Sequence, residues 1–174
     1  LIFFGKKTNN KSHFIALPLI GLTLLNSGYF LFSSIYDHHI YLDNSFIWFN
    51  TGSFEISLGC VVDNITVIML FVVSLISFLV HLYSTEYMKN DLRYSRYFAF
   101  LGIFTFSMNG IVLADSLIMM YVFWELVGLS SYLLIGFWFE KHSASNASKK
   151  AFLVNRVGDI GMFIGIMILF FSIG

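Results

Sequence analysis

Three ionisable side chains, Glu125, Arg156 and Asp159, stand in stretches of sequence that are otherwise almost free of charge. A charge near the centre of a bilayer costs about 2.5–3.5 kcal/mol on insertion scales, so such groups mark an ion path or a paired cluster. Arg156 and Asp159 are spaced i,i+3 and share a helix face, where they can pair directly. Asn155, four residues before Asp159, extends the polar stripe. Around Glu125, the residues Tyr121, Gly128, Tyr132 and Gly136 recur at helical spacing and offer two hydroxyls and two small residues. Small residues permit close helix packing or leave room for water beside the carboxylate. Proton carriage explains an isolated intramembrane acid; the alternative for Glu125 is a static ion pair. For Arg156 and Asp159 the alternative is a structural pair that also tunes Glu125, because burial favours the neutral acid and a nearby cation the ionised one.

His81 is the fourth candidate. It lies near the end of its apolar run and is followed by Ser84, Thr85 and Glu86. An imidazole there can feed protons from the adjacent solution; the alternative is an interfacial histidine that anchors the helix end. His38 and His39 form an exposed pair in a connector, and no other histidine has ligand spacing. The single cysteine, Cys60, excludes an internal disulfide and a thiolate metal cluster. Trp48, Trp124, Trp138 and most tyrosines read as interface or packing residues. With no phosphate loop, nucleophile–base pair or cofactor motif, the expectation is that this chain binds no cofactor or metal and does no redox chemistry itself.

The elements that must position these groups follow from where charge is missing. Of 174 residues, 57% are hydrophobic and 11% charged, against roughly 25% charged in soluble domains. That excludes a soluble enzyme, and ten basic against ten acidic residues leave no electrostatic footprint for nucleic acid. Low charge and one proline also argue against disorder. Residues 12–36, 64–85 and 97–114 carry no Asp, Glu, Lys or Arg, over lengths of 25, 22 and 18 residues. Residues 116–139 hold only Glu125, and 151–174 only Arg156 and Asp159. Each run reaches the ~18–20 residues that cross a ~30 Å hydrocarbon core. Continuous apolarity without alternation excludes a β-barrel and requires helices.

The predicted fold is therefore all-α, a polytopic transmembrane helix bundle of five spans. An inner-side loop covers 1–11, spans cover 12–36, 63–88, 94–114, 116–139 and 148–174, and an outer connector covers 37–62. Residues 1–5 read as the stub of an earlier helix. The first run lacks a small-residue cleavage site and is followed by four more spans, so it reads as a true helix rather than a signal peptide. Nine of the ten basic residues fall on one side of this arrangement, which places that side in the cytoplasm or matrix. In the outer connector, 46–49 and 54–58 read as short strands, with turn chemistry at Asn50-Thr51-Gly52-Ser53. Asp63 and Asp115 stand where they can cap the second and fourth spans. Counting from the basic end at 1.5 Å per residue puts Glu125 at ~20 Å, Arg156 at ~12 Å and Asp159 at ~16 Å. The two carboxylates are thus at comparable depth.

The run Phe123-Trp124-Glu125-Leu126-Val127-Gly128-Leu129-Ser130-Ser131-Tyr132-Leu133-Leu134-Ile135-Gly136-Phe137-Trp138 resembles the signature of the largest antiporter-like membrane subunit of respiratory complex I, NADH-quinone oxidoreductase chain 5 or subunit L. Asn155-Arg156-Val157-Gly158-Asp159 resembles its second signature and His81-Leu82-Tyr83-Ser84-Thr85-Glu86-Tyr87-Met88 a third. The resemblance extends from about Lys6 to the end of the chain. It implies that Glu125 is the essential membrane glutamate of a proton path, with Arg156 and Asp159 beside it. It also implies a subunit of about 14–16 helices arranged as two inverted repeats around broken helices, of which this chain is the N-terminal part. The lysine partners of the family lie outside this sequence. NADH, FMN, iron–sulfur clusters and quinone would belong to other subunits, and the neighbouring antiporter-like subunit and the lipid bilayer would be the contacts.

Two rivals stand beside that reading. The large subunit of multi-subunit sodium/proton antiporters has a similar fold and Trp-Glu segment, and a structural or assembly subunit would need no proton-carrying glutamate. Chloroplast-type ferredoxin-driven relatives share the Trp-Glu-Leu-Val-Gly run as well. Phe, Tyr, Met, Ile, Asn and Lys total 73 residues against 23 for Gly, Ala, Arg and Pro, the bias of an AT-rich genome. With the wording of the motifs, that favours a bacterial plasma membrane ahead of the mitochondrial inner membrane. Opening on Leu1 and ending on Gly174 within an apolar run, the sequence reads as a piece of a longer one.

Overall fold

Lipid gives the backbone no hydrogen-bond partner, so an apolar run of this length must close its bonds within itself. The computed structural model describes residues 12–37, 42–50 and 55–173. It does this with five helices: α1 (His13–Asp37), α2 (Asn64–Tyr87), α3 (Tyr94–Leu113), α4 (Leu117–Ile135) and α5 (His142–Ile173). All five are long and apolar enough to cross a membrane. Between α1 and α2, β1 (Leu42–Asn50) and β2 (Glu55–Val62) pair antiparallel. The architecture is the all-helical bundle with a hairpin after its first span. The candidate stub 1–5, Lys6, Lys7, Lys11, the His38-His39 pair and turn residues 51–53 lie outside the described residues.

The hairpin is longer than the alternation predicts. Its register runs from Leu42 opposite Val62 to Asn50 opposite Glu55, with an irregularity between Ile47 and Phe49. A two-stranded ribbon is marginal alone, and this one is tied to the bundle. Cys60 makes an isolated bridge to Ala114 in the α3–α4 turn. Gly59 allows that approach, since a Cβ there would meet Asp115 Oδ2 and, at 2.7 Å, Ser45 Cβ.

Capping sets where the spans begin. Asp63 caps α2, its Oδ1 accepting from the Thr66 N–H at 2.7 Å; that backbone donor holds the carboxyl below its ordinary value. At α4 the cap is Ser116, whose Oγ accepts from the Met119 N–H at 3.3 Å, and this corrects the expectation for Asp115. A capping oxygen must sit at the residue that opens the first turn to reach the N3 amide. Asp115 is one position early and lies against Gly59 instead. Helix α4 ends at Ile135, with the Gly136 N–H bonded to the Leu134 and Tyr132 carbonyls. Helix α5 begins at His142, ahead of the expected 148.

Consecutive helices pack on one another in chain order. What they bury is mostly polar: among the described residues, eight hydrophobic and eleven polar or charged residues are buried. Lipid tails are as apolar as leucine, so apolar surface need not turn inward and helix seams take small polar groups. Ser27 Oγ lies 2.7 Å from Ser74 Oγ between α1 and α2. Ser77 Oγ lies 2.6 Å from Thr105 Oγ1 between α2 and α3. The Phe123 ring of α4 occupies the space that a side chain on Gly110 of α3 would need.

The apolar cluster gathers at the basic end, from Ala16, Met88, Tyr94, Phe98 and Phe137. There Arg93 bridges to Glu140 at 3.1 Å and the Trp138 indole donates to Asp91 Oδ2 at 3.0 Å. These contacts bind the α2–α3 loop to the α4–α5 loop.

Candidate functional site

Helix α4 presents Tyr121, Trp124 and Glu125 to helix α5, which presents Arg156 and Asp159. Tyr121 and Glu125, one turn apart, form one pair, the phenol donating to Glu125 Oε1 at 2.9 Å. Arg156 Nη1 reaches across the seam and donates to Glu125 Oε2. Asp159 Oδ2 lies 4.0 Å from the same Nη1, and the Trp124 indole N–H donates to Asp159 Oδ1 at 3.2 Å. Arg156 also lies over the Phe152 ring, 4.9 Å from its centroid, a stacking that guanidinium tolerates because it is weakly hydrated.

Two carboxylates therefore share one guanidinium. Asp159 is 4% exposed, while the Glu125 and Arg156 side chains are 21% and 39% exposed. The site thus has one cation with two possible seats, and an acid with a phenol donor already in place.

The structure brings together three of the four candidate residues: Glu125, Arg156 and Asp159. The expected pair on α5 is present, Arg156 lying 4.0 Å from Asp159, and a second contact joins it. Spacing on α5 places Arg156 beside Asp159 at ion-pair distance, and the guanidinium makes its hydrogen bond to Glu125 across the seam. The long arginine side chain spans between helices, and Asp159 already has the indole as donor. Trp124 is the residue that the sequence reading misplaced as packing. Its signal was there: an indole N–H next to a buried acid must find an acceptor.

The surrounding stripe divides. Tyr132 turns to the Phe152 ring, 5.3 Å between centroids, and Asn155 is exposed. A Cβ on Gly128 would meet open space, whereas one on Gly136 would lie 2.9 Å from Ser148 Oγ. Close packing thus accounts for Gly136 alone. His81 lies elsewhere, fully buried on α2, its Nδ1 2.8 Å from the Ser77 carbonyl and its ring 5.9 Å from that of Phe98. His81 is thus packed inside the helix seam rather than facing outward. Among the described residues, no three His, Cys, Asp or Glu side chains converge as metal ligands.

Two family models match the chain. Residues 48–98 match the N-terminus of chain 5 of NADH-ubiquinone oxidoreductase, complex I. Residues 114–174, which contain the whole charged site, match the transmembrane domain described as NADH:quinone oxidoreductase/Mrp antiporter. Among curated proteins, the NAD(P)H-quinone oxidoreductase chain 5 of Synechocystis is 40% identical over all of this chain and 26% of its own length. The chloroplastic subunit 5 of Mesostigma viride is 43% identical over all of this chain and 27% of its own. The organellar chromatophore subunit 5 of Paulinella chromatophora is 50% identical over 73% of this chain and 19% of its own. The chain spans about a quarter of the length of the curated relatives that it matches end to end.

Proposed function

This chain belongs to the chain 5 family of complex I membrane subunits, and on that premise we propose that it carries the proton-binding switch of a proton-translocating NADH:quinone oxidoreductase. The observation that supports this most directly is the sharing of Arg156 between Glu125 and Asp159. With the guanidinium on Glu125, that carboxylate is charge-balanced without a proton. With the guanidinium moved the short distance to Asp159, Glu125 needs a proton, and Tyr121 remains as its hydrogen-bond partner. A change of charge relayed from the redox arm through neighbouring subunits would move Arg156 between its seats and make Glu125 bind and release a proton in turn. In the same reading, His81 takes up protons from the basic side.

The chain is a multi-pass membrane protein. Its contacts in this reading are the other membrane subunits, the neighbouring antiporter-like subunit first, and the bilayer. NADH, FMN, iron–sulfur clusters and quinone are assigned to other subunits, which do the electron transfer. The membrane is assigned as a bacterial plasma membrane, ahead of the mitochondrial inner membrane, on the motif wording and AT-rich bias.

The experiment replaces Glu125 by Gln in the complete protein within its membrane complex. Proton pumping is expected to be abolished or severely reduced, and unchanged pumping stoichiometry would overturn the proposal in favour of a structural or assembly subunit. A second reading, the large subunit of a sodium/proton antiporter, draws on the second family model, whose description names both protein classes. Quinone reduction coupled to ion movement distinguishes the first reading from exchange driven by a sodium gradient alone.

A further inference from the structure

The buried face of α2 is a polar stripe at coiled-coil spacing: Ser74, Ser77, His81 and Ser84. Small hydroxyl residues in a membrane seam are ordinarily packing residues, and Ser27–Ser74 fits that description. His81 does not. It is 0% exposed, and its Nε2 is buried without a hydrogen-bond partner among the described residues. A buried polar group left in that state costs free energy, which a purely structural seam would avoid.

The hydrogen bonds around His81 have a single sense. Its Nδ1 lies 2.8 Å from the Ser77 carbonyl, which can only accept, so Nδ1 carries the proton and Nε2 is the free acceptor. Nδ1 is also 3.4 Å from Ser77 Oγ. Thr105 Oγ1 donates to the Leu101 carbonyl at 3.0 Å, so it accepts from Ser77 Oγ at 2.6 Å. Thr105 in turn lines a partly open, mostly apolar cavity of about 1070 Å³ between α1, α2, α3 and the start of α4, whose polar lining includes Thr23, Asn26, Ser27, Ser74 and Asn109. Asn109 stands one turn beyond Thr105, about 6 Å along α3, and its Oδ1 is a second buried acceptor without a partner among the described residues. Several convergent polar groups in a space of this size are what a bound water needs.

We propose that His81, Ser77 and Thr105 form a second proton-handling file, separate from the Glu125 cluster, that passes protons into water held in the cavity between α1 and α3. The proposal rests on the reading of the chain as a proton-translocating subunit. A proton taken at Nε2 forms a new N–H bond; the Nδ1 proton breaks from the Ser77 carbonyl and leaves to Ser77 Oγ, and the Ser77 proton passes to Thr105 Oγ1. The Thr105 hydroxyl turns from the Leu101 carbonyl, and its proton leaves to water in the cavity. One proton enters, one leaves, every side chain ends neutral, and rotation of the hydroxyls with a tautomer change resets the file.

Several ionisable groups on the elements packed against His81 have partners of their own. On α2, Glu86 holds Lys89 at 3.2 Å. His13 of α1 accepts from or donates to Tyr94 OH of α3 at 3.0 Å, and Tyr97 OH lies 3.3 Å from Ser84 Oγ, one turn from His81. Arg93, at the start of α3, is paired with Glu140.

The test uses the complete protein in its membrane complex. T105V removes the hydroxyl at nearly constant volume, T105S keeps it, and H81Q keeps a polar group that cannot carry the proton. Proton translocation is expected to slow about tenfold in T105V and H81Q and to recover in T105S. In a background without other cysteines, N109C is expected to react with a small charged thiol reagent added in water, since the file requires water in the cavity. Wild-type pumping in both T105V and H81Q overturns the file. Labelling of N109C only by a lipid-soluble maleimide also overturns it, by showing a cavity filled with acyl chain; this reading does not depend on how well T105V assembles. E125Q separates the two ideas. Pumping lost in E125Q but intact in T105V and H81Q removes the file and the uptake role of His81 and leaves the Glu125 switch standing, whereas pumping retained in E125Q removes the proposed function.

Discussion

Arg156 of α5 donates to Glu125 of α4 across the helix seam, although Asp159, its neighbour on the same helix face, lies 4.0 Å from the same nitrogen. The guanidinium is therefore held between two carboxylates of unequal surroundings. Asp159 is buried and bonded to an indole, and Glu125 is bonded to a phenol and partly open.

Removing the cation should be worse than blunting it. R156A leaves two carboxylates in the seam without a counter-ion, which is destabilising where those charges are partly withdrawn from water. Pumping and yield of assembled protein should both fall. R156K keeps the charge but loses the planar donor that fits both acids, so assembly should be retained while pumping falls. Comparing assembled protein on a native gel with pumping in vesicles separates the two effects.

Trp124 should matter through one hydrogen bond. W124F keeps most of the ring and deletes the donor to Asp159, at a cost of about 1.5–3 kcal/mol for a bond to a charged group. Pumping should fall in W124F, and D159N should lower the effect of adding W124F, because the pair is coupled. Additive losses in the double mutant would show that the indole acts elsewhere.

The Asp63 cap has a defined pH dependence. The Thr66 N–H holds this carboxyl below its ordinary value of 3.8. Its stabilising contribution is fully present above that value and is lost as pH falls through the lower, folded value. Exchange of the Thr66 amide should accelerate in that acid range for the native chain. D63N retains a capping oxygen and should lose the pH dependence. S116A should cost about 1 kcal/mol at α4, whereas D115A should leave the α4 amides unchanged.

The contact of α3 with α4 should be intolerant of a methyl group. G110A would drive its Cβ into the Phe123 ring, and overpacking of this kind costs about 1–3 kcal/mol. A lowered unfolding temperature of the assembled protein in detergent is the expected result. F123L should restore part of it; an equal loss with and without F123L would place the strain elsewhere.

The sequence alone determined the spans, because the absence of charge over 18 or more residues is a local property and lipid permits only one backbone answer to it. It also marked Glu125, Arg156, Asp159 and His81, since an ionisable group is conspicuous where almost none is present. Asp63 was legible as a cap for the same reason, its oxygen reaching only three residues along the chain. The tertiary structure decided the rest. Whether Arg156 turns to Asp159 or to Glu125 depends on how α4 and α5 are rotated against each other, which no spacing within one helix encodes. The capture of Asp159 by Trp124, the burial of His81 and the cavity beside Thr105 depend on the same inter-helix geometry. Each is a contact between residues distant in the chain, set by packing of small polar seams whose energies differ too little to be read from residue types.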